Sequence, residues 1–199
     1  MSTLTRDDWA AAALEVIASG GGIAAVAVEP IAARLGSTKG SFYWHFRSRS
    51  DLIEAALLRW ERLATLDVIT HIDGTGLDAE GRLRALFEHT FQPRQLMGAD
   101  MALLSHTDLA VVRTTIDRVT KRRIDYVANL LREIGLPTHV ARRRAVLGYS
   151  AFLGNLQLAH ASPDLLRRSV GSMKEYTDEV LAMLISDRRH PDSVVAAPG

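Results

Sequence analysis

The stretch AVEPIAARLGSTKGSFYWHFRSRSDL, residues 27–52, decides the fold of the N-terminal part of the chain. It predicts a short helix over about 28–35 and a second from Ser37 or Thr38 to about His45. Pro30 suits the first turn of a helix, where its missing N–H has no intrahelical partner, and Gly36 suits a left-handed C-terminal cap. Two short helices joined by a glycine turn are typical of a helix-turn-helix, whose second helix enters the major groove of DNA.

The second of these helices has two distinct sides. Phe42 and Phe46 lie four residues apart and are predicted to face the core together, which leaves Lys39 and Tyr43 on the exposed side. Residues 34–49 contain no Asp or Glu and carry a series of basic residues: Arg34, Lys39, His45, Arg47 and Arg49. An acid-free basic stretch over the second helix indicates a surface that binds nucleic acid.

Over about residues 5–57 the chain resembles the TetR family of bacterial transcription regulators. The resemblance is carried by IAARLG at 31–36 and by KGSFYWHFRSRSDL at 39–52. Beyond about residue 70 only the number, length and order of the predicted helices match. The resemblance implies a homodimer that binds a palindromic double-stranded operator, with a ligand pocket in the middle helices and a four-helix dimer interface.

The resemblance also implies which residues contact DNA. Tyr43 and Arg49 match phosphate-contacting positions, and Lys39 falls where the family reads bases and could donate to guanine O6 and N7. Trp44 matches a ring in apolar contact with DNA, with packing against the fourth helix as the alternative. The implied DNA-binding residues are Thr38, Lys39, Gly40, Ser41, Tyr43, Trp44, His45 and Arg49.

Two residues depart from the family pattern. Ala27 lies where many members have Thr or Ser, so the first helix of the motif is predicted to lack a side-chain cap. Glu29 lies where an Arg often helps to read bases. Its carboxylate could accept from a cytosine N4, repel phosphate or point away from DNA.

The rest of the chain predicts an all-α protein. Thr5 caps a first helix that stops at Gly20, and Ser48 or Ser50 opens a linking helix over 49–70. Further helices are predicted over about 79–91, 94–105, 109–135, 138–160 and 164–186. The expected division is a DNA-binding domain over 1–50, a ligand-binding and dimerisation domain over 51–186, with its interface on the last two helices, and a disordered tail over 187–199.

Composition excludes several classes of site. The 199 residues hold 24 Lys and Arg, 23 Asp and Glu and no Cys, so thiol nucleophiles and thiolate metal sites are absent. Asp67 and His71 form the only tolerable metal-ligand pair, and neither a metal, a cofactor nor enzyme chemistry is expected. No apolar run reaches the length of a membrane span, and the start has no signal-peptide pattern, which favours the cytoplasm.

Aromatic and soft side chains on the middle helices are the candidates for a ligand pocket, with plain core packing as the alternative. They are Trp60, Phe87, Phe91, Met97, Met101, His106 and Tyr126.

The function predicted from these features is that of a TetR-like regulator, a repressor released by a small-molecule ligand. One alternative is a helical small-molecule-binding or enzymatic protein in which the DNA-binding corner is vestigial. Salt-dependent binding to DNA separates these two, because phosphate neutralisation makes binding depend on salt. Another alternative is a non-specific architectural DNA binder, which the near-neutral net charge of +1 disfavours.

Overall fold

The computed structural model describes residues 4–92 and 96–186, and every regular element within these ranges is helical. The all-α prediction is therefore confirmed. The tail over 187–199 and the predicted stop at Pro93 lie outside the described residues. The α-helices are α1 Arg6–Val16, α2 Val28–Arg34, α3 Lys39–His45, α4 Arg49–Glu61, α5 Asp67–Asp73, α6 Ala79–Phe91, α7 Met97–Leu104, α8 Ala110–Glu133, α9 Thr138–Ala161, α10 Pro163–Val170 and α11 Met173–Ile185.

The first helix begins and ends as predicted. The Thr5 side chain accepts from the Asp8 N–H, and the Asp8 carboxylate accepts in return from the Thr5 N–H, which forms a capping box. After α1 the chain makes one π-helical turn over Ile17–Gly21. The helix then stops because Gly20 and Gly22 adopt positive φ values of 94° and 60°, which side chains disfavour.

The predicted linking helix over 49–70 is made of three consecutive helical pieces. Ser48 rather than Ser50 caps α4, since its hydroxyl accepts from the Asp51 N–H. A π-helical turn over Arg62–Leu66 then joins α4 to α5 while the backbone stays right-handed helical. Such a turn changes which residues share a face after Glu61.

Most of the later helices match their predicted positions to within two residues. The predicted segment 94–105 corresponds to α7, and its first residues lie outside the described part of the chain. The prediction of one helix over 164–186 is wrong, because α10 ends at Val170, before Gly171, and α11 starts at Met173. Gly171 has φ 62° and the Ser172 hydroxyl accepts from the Glu175 N–H, so a stop and a start occupy adjacent residues.

The chain divides into two compact units. One comprises Met1–His71 with Pro93–Arg122, and the other Ile72–Gln92 with Arg123–Gly199. The predicted division near residue 50 separates DNA binding from ligand binding and dimerisation rather than compact units, and it stays a prediction. In the first unit the buried aromatic residues are Trp9, Phe42, Phe46 and Trp60. In the second they are Phe87, Phe91 and Phe152.

Within the described residues no helix combines the length and the apolar character that crossing a membrane requires.

Candidate nucleic-acid interface

The turn between α2 and α3 is built from local hydrogen bonds. Gly36 has φ 62°, its N–H donates to the Ala33 carbonyl at 3.1 Å, and the Ser37 N–H donates to the Ala32 carbonyl at 2.8 Å. This bonding pattern ends a helix in a Schellman motif. Thr38 then starts α3 by accepting from the Ser41 N–H at 3.2 Å. Three residues are therefore enough to end one helix and start the next.

Two phenylalanines fasten α3 to the core, as predicted. Phe42 is fully buried and Phe46 is 2% exposed. The Phe42 ring packs edge-on against Trp9 of α1, with centroids 5.5 Å apart, and stacks on Phe46 at 5.4 Å. The Arg6 guanidinium covers the Phe46 ring at 4.2 Å and donates to the His45 carbonyl at 2.6 Å. These contacts set the rotation of α3 about its own axis.

Because the phenylalanines face inward, their neighbours face outward. Tyr43 is 57% exposed and Trp44 is 88% exposed. The alternative for Trp44, packing against the fourth helix, is not what the structure shows. An indole this exposed leaves its apolar surface in contact with water, and stacking or apolar contact with a partner would remove that surface from water. Ser41 and His45 are half-buried at the edges of the same exposed surface.

The amino-terminal end of α3 carries an ion pair that sequence reasoning missed. The Lys39 ammonium donates to Glu29 Oε1 at 2.8 Å and thereby joins α3 to the first turn of α2. This hydrogen bond lowers the pKa of Glu29 and raises the pKa of Lys39, so both groups are ionised near neutral pH. Glu29 therefore points toward α3, a geometry that the three alternatives for its role did not include.

Arg49 has intramolecular partners that sequence reasoning also missed. Its guanidinium donates to the carbonyls of Val26, of Ile23 at 2.7 Å and of Ala24 at 3.3 Å. These carbonyls belong to the short 3-10 turn and the residues that lead into α2. Ala27 begins α2 with no side-chain cap, as predicted, so Arg49 is a contact that fixes the entry to this helix. Its assignment to phosphate stays a prediction.

The candidate ligand-binding residues are divided between the two compact units. In the first unit the Trp60 indole N–H donates to the buried Asp100 carboxylate at 2.9 Å, and the His106 ring lies against Gly22. Met97 and Met101 are half-buried on α7.

In the second unit, Phe87 and Phe91 pack edge to face at 5.4 Å, and the Tyr126 hydroxyl donates to Asp73 at 2.7 Å. Burial and the Asp73 carboxylate both raise the pKa of Tyr126. All seven residues have packing or hydrogen-bond roles or are half-buried, and their ligand-binding assignment stays a prediction.

A cleft that the sequence did not indicate lies in the first unit. It measures about 580 Å³ and is lined by residues from α1, α2, α4 and the two π-helical turns, and by Leu96 just before α7. Glu15 and Arg34 form an ion pair at its wall, and Leu14 and Leu63 supply apolar surface.

For metals, no group of three or more acidic or imidazole side chains suited to an ion occurs within residues 4–92 and 96–186.

Residues 10–56 match the family model described as "Bacterial regulatory proteins, tetR family". This part of the chain belongs to the TetR family. The matched region runs from α1 into α4 and contains the whole α2–turn–α3 unit with its exposed Tyr43 and Trp44. The resemblance read from residues 5–57 is therefore confirmed. TetR-family proteins are regulators of transcription and not enzymes, in agreement with the prediction.

Solved structures share the fold over nearly the whole chain. A TetR transcriptional regulator from Legionella pneumophila has a TM-score of 0.70 at 18% identity, over 90% of this chain and 97% of that one. SmeT, the repressor of the Stenotrophomonas maltophilia multidrug efflux pump SmeDEF, has a TM-score of 0.68 at 23% identity, over 98% and 95%. A protein from Saccharomonospora viridis, solved in complex with choline, has a TM-score of 0.69 at 21% identity, over 93% and 95%. The TetR-like fold thus extends beyond the matched N-terminal domain.

Proposed function

We propose that this protein is a homodimeric cytoplasmic repressor that binds a palindromic operator and releases it when a small molecule binds. The observation that carries the proposal is the exposed surface of α3 inside a TetR-family domain. Phe42 and Phe46 pack α3 against the core. Tyr43 and Trp44 project outward, and their apolar surface is left exposed to water. Large exposed aromatic residues on a recognition helix are suited to contact with DNA.

The proposed mode of binding places α3 in the major groove. Its first residues, Lys39, Gly40 and Ser41, would lie at base edges, because the amino-terminal end of a recognition helix points into the groove. Gly40 has no neighbour closer than 3.6 Å to the position of a Cβ, so its backbone is open to close approach. Tyr43 and His45 would contact the sugar-phosphate backbone, which holds the helix in register.

Dimerisation is proposed through α9, α10 and α11 of the second unit. These helices expose large apolar side chains: Val146, Leu147, Leu158, Leu165 and Met183. Exposed apolar side chains concentrated on neighbouring helices indicate an interaction surface. A two-fold dimer presents two copies of α3, which suits a palindrome with half-sites about 34–36 Å apart.

Release by a ligand would be a shift between two populations of the dimer. A small molecule that binds better to a dimer with mismatched recognition helices lowers the fraction able to bind the operator. Support comes from two structural neighbours, one a repressor of an efflux pump and one solved with choline. The candidate ligand contacts are the seven residues on the middle helices named above.

The experiment is selection of bound duplexes from a random DNA pool by the full-length protein. The binding-defective variant is Tyr43→Ala/Trp44→Ala, since both side chains are exposed and their removal leaves the core intact. The matched control is Leu58→Ala, which removes a similarly exposed apolar side chain from α4. We expect an enriched palindrome for the wild type and for Leu58→Ala, and none for the double variant.

The outcomes separate the candidate functions. Salt-dependent binding without an enriched sequence indicates an architectural binder, and no binding at all indicates a vestigial corner. With the operator in hand, small molecules are screened for release of the labelled duplex. If saturation with every plausible inducer leaves operator affinity unchanged, the ligand-controlled part of the proposal is wrong.

A further inference from the structure

The pair formed by Glu29 and Lys39 lies where a helix-turn-helix meets bases. Lys39 is the first residue of α3 and Glu29 lies in the first turn of α2. The ammonium and the carboxylate are 2.8 Å apart, and the side chains are 56% and 71% exposed. Both groups therefore keep free bonding capacity on their solvent side.

Placing a carboxylate beside DNA needs a reason. An unpaired Glu29 would face the phosphate backbone with like charge and oppose binding. Its pairing with Lys39 makes the local charge neutral, so the acid is tolerated at the interface. The same pairing restrains the lysine, which alone would be a flexible point charge free to contact any nearby phosphate.

The remaining bonding groups of the pair match the major-groove edge of one base pair. A lysine ammonium has three N–H donors, and one is used by Glu29. The other two suit guanine, whose O6 and N7 are adjacent acceptors, while the free carboxylate oxygen suits the N4 amino group of cytosine. In an A·T pair the acceptors are separated by the adenine amino group, and the thymine methyl group would lie against a charged pair.

We propose that Glu29 and Lys39 act together to read one G·C base pair in each operator half-site. Lys39 donates to guanine, and Glu29 accepts from the cytosine of the same base pair. This inference rests on the proposed operator binding and specifies its chemistry. It makes Glu29 a specificity-determining residue, although an acid lowers affinity for DNA in general.

The test compares operators selected by the wild type with those selected by Glu29→Gln, Lys39→Met and the double variant. We expect a G·C pair at one position of the wild-type half-site, and loss of that preference at the same position in both single variants. The matched control is Glu15→Gln, which removes the acid of another exposed ion pair, Glu15 with Arg34, that contains no residue of α3. It should leave the selected sequence unchanged.

Salt dependence provides a second readout, which reports the net charge that the pair presents to DNA. Glu29→Gln frees the Lys39 ammonium to contact phosphate, so the slope of log K against log salt should become steeper by about one. The double variant removes a neutral pair and should keep the wild-type slope. Lys39→Met leaves an unpaired acid at the interface and should lose more affinity than the double variant.

Two results would overturn the inference. If the wild type selects a palindrome but the single variants alter different positions, or none, the pair does not read a base pair together. That result leaves the proposed operator binding intact. If the wild type selects no sequence, the proposed function and this inference fail together.

Discussion

The guanidinium of Arg49 shows how one residue can hold the backbone that positions a recognition unit. Its donors reach three carbonyls in residues 23–26, just before α2 begins without a side-chain cap. A lysine at this position keeps the positive charge but cannot match three carbonyls with a planar fork. The two roles of Arg49, phosphate contact and backbone contact, therefore predict different behaviour for a conservative substitution.

We expect Arg49→Lys to lower the free energy of unfolding by about 1 kcal/mol, because partly buried carbonyls lose charged hydrogen-bond donors. Urea unfolding followed by circular dichroism measures this change. DNA affinity should fall equally on all sequences, since the entry to α2 is loosened. A variant that is as stable as the wild type but binds DNA weakly would assign Arg49 to phosphate alone.

In the first unit, α7 packs closely against the turn after α1 because Gly98 has no side chain. A Cβ built on Gly98 of α7 would lie 2.1 Å from the Ala18 carbonyl oxygen in the π-helical turn after α1. Two backbones meet here, so no flexible side chain can move aside. At Gly40 of α3, by contrast, the nearest atom to the built Cβ is the Thr38 hydroxyl oxygen at 3.6 Å.

We expect Gly98→Ala to lower the free energy of unfolding by about 3 kcal/mol, as over-packing against backbone does. Gly40→Ala is the matched control, because a helical Ala is favoured over Gly by about 0.5–1 kcal/mol where space allows. Paired urea titrations measure both. Equal effects of the two substitutions would show that α7 does not pack against the turn after α1 as closely as described.

The second unit contains the one helix prediction that was wrong. The apolar spacing of Leu166, Val170 and Met173 continues through Gly171, so periodicity alone favoured one helix. The Gly171–Ser172 pair is a stop-and-start signal in the sequence, and in the structure it breaks the helix that the spacing predicts. The proposed dimer interface is therefore formed by a long α9 with two shorter helices.

At the scale of the whole molecule, the proposed dimerisation depends on exposed apolar side chains rather than on the buried core. Leu147 of α9 and Met183 of α11 are 59% and 60% exposed. We expect Leu147→Glu/Met183→Glu to convert the proposed dimer into monomers, because charges in an apolar interface are left desolvated and unpaired. Sedimentation velocity over a range of concentrations measures the change.

The control for this experiment is Leu77→Glu, a substitution of a 49% exposed leucine before α6, outside the proposed interface. It should leave the dimer intact. If the double variant sediments like the wild type, dimerisation does not use this face of α9 and α11, and another surface must supply it. Operator affinity should fall together with dimerisation, because one half-site contact is lost.

The sequence by itself determined most of the helices, the inward face of α3 and the family of the N-terminal domain. Caps at Thr5, Thr38 and Ser48 and the stop at Gly36 act within a few residues, and the Phe42 and Phe46 spacing follows from the helical repeat. Signals of this kind are local, so a single sequence displays them. They were enough to find the recognition helix.

Only the tertiary structure decided which charges pair and which carbonyls are covered. Glu29 and Lys39 lie ten residues apart on different helices, and Arg49 lies 26 residues from Ile23. Trp60 and Asp100 are separated by 40 residues, and the close approach of Gly98 to Ala18 joins residues still farther apart in the sequence. Contacts between distant residues depend on how the helices pack and on their rotation. Hydrophobic spacing constrains both, but not with the ångström precision that a hydrogen bond requires.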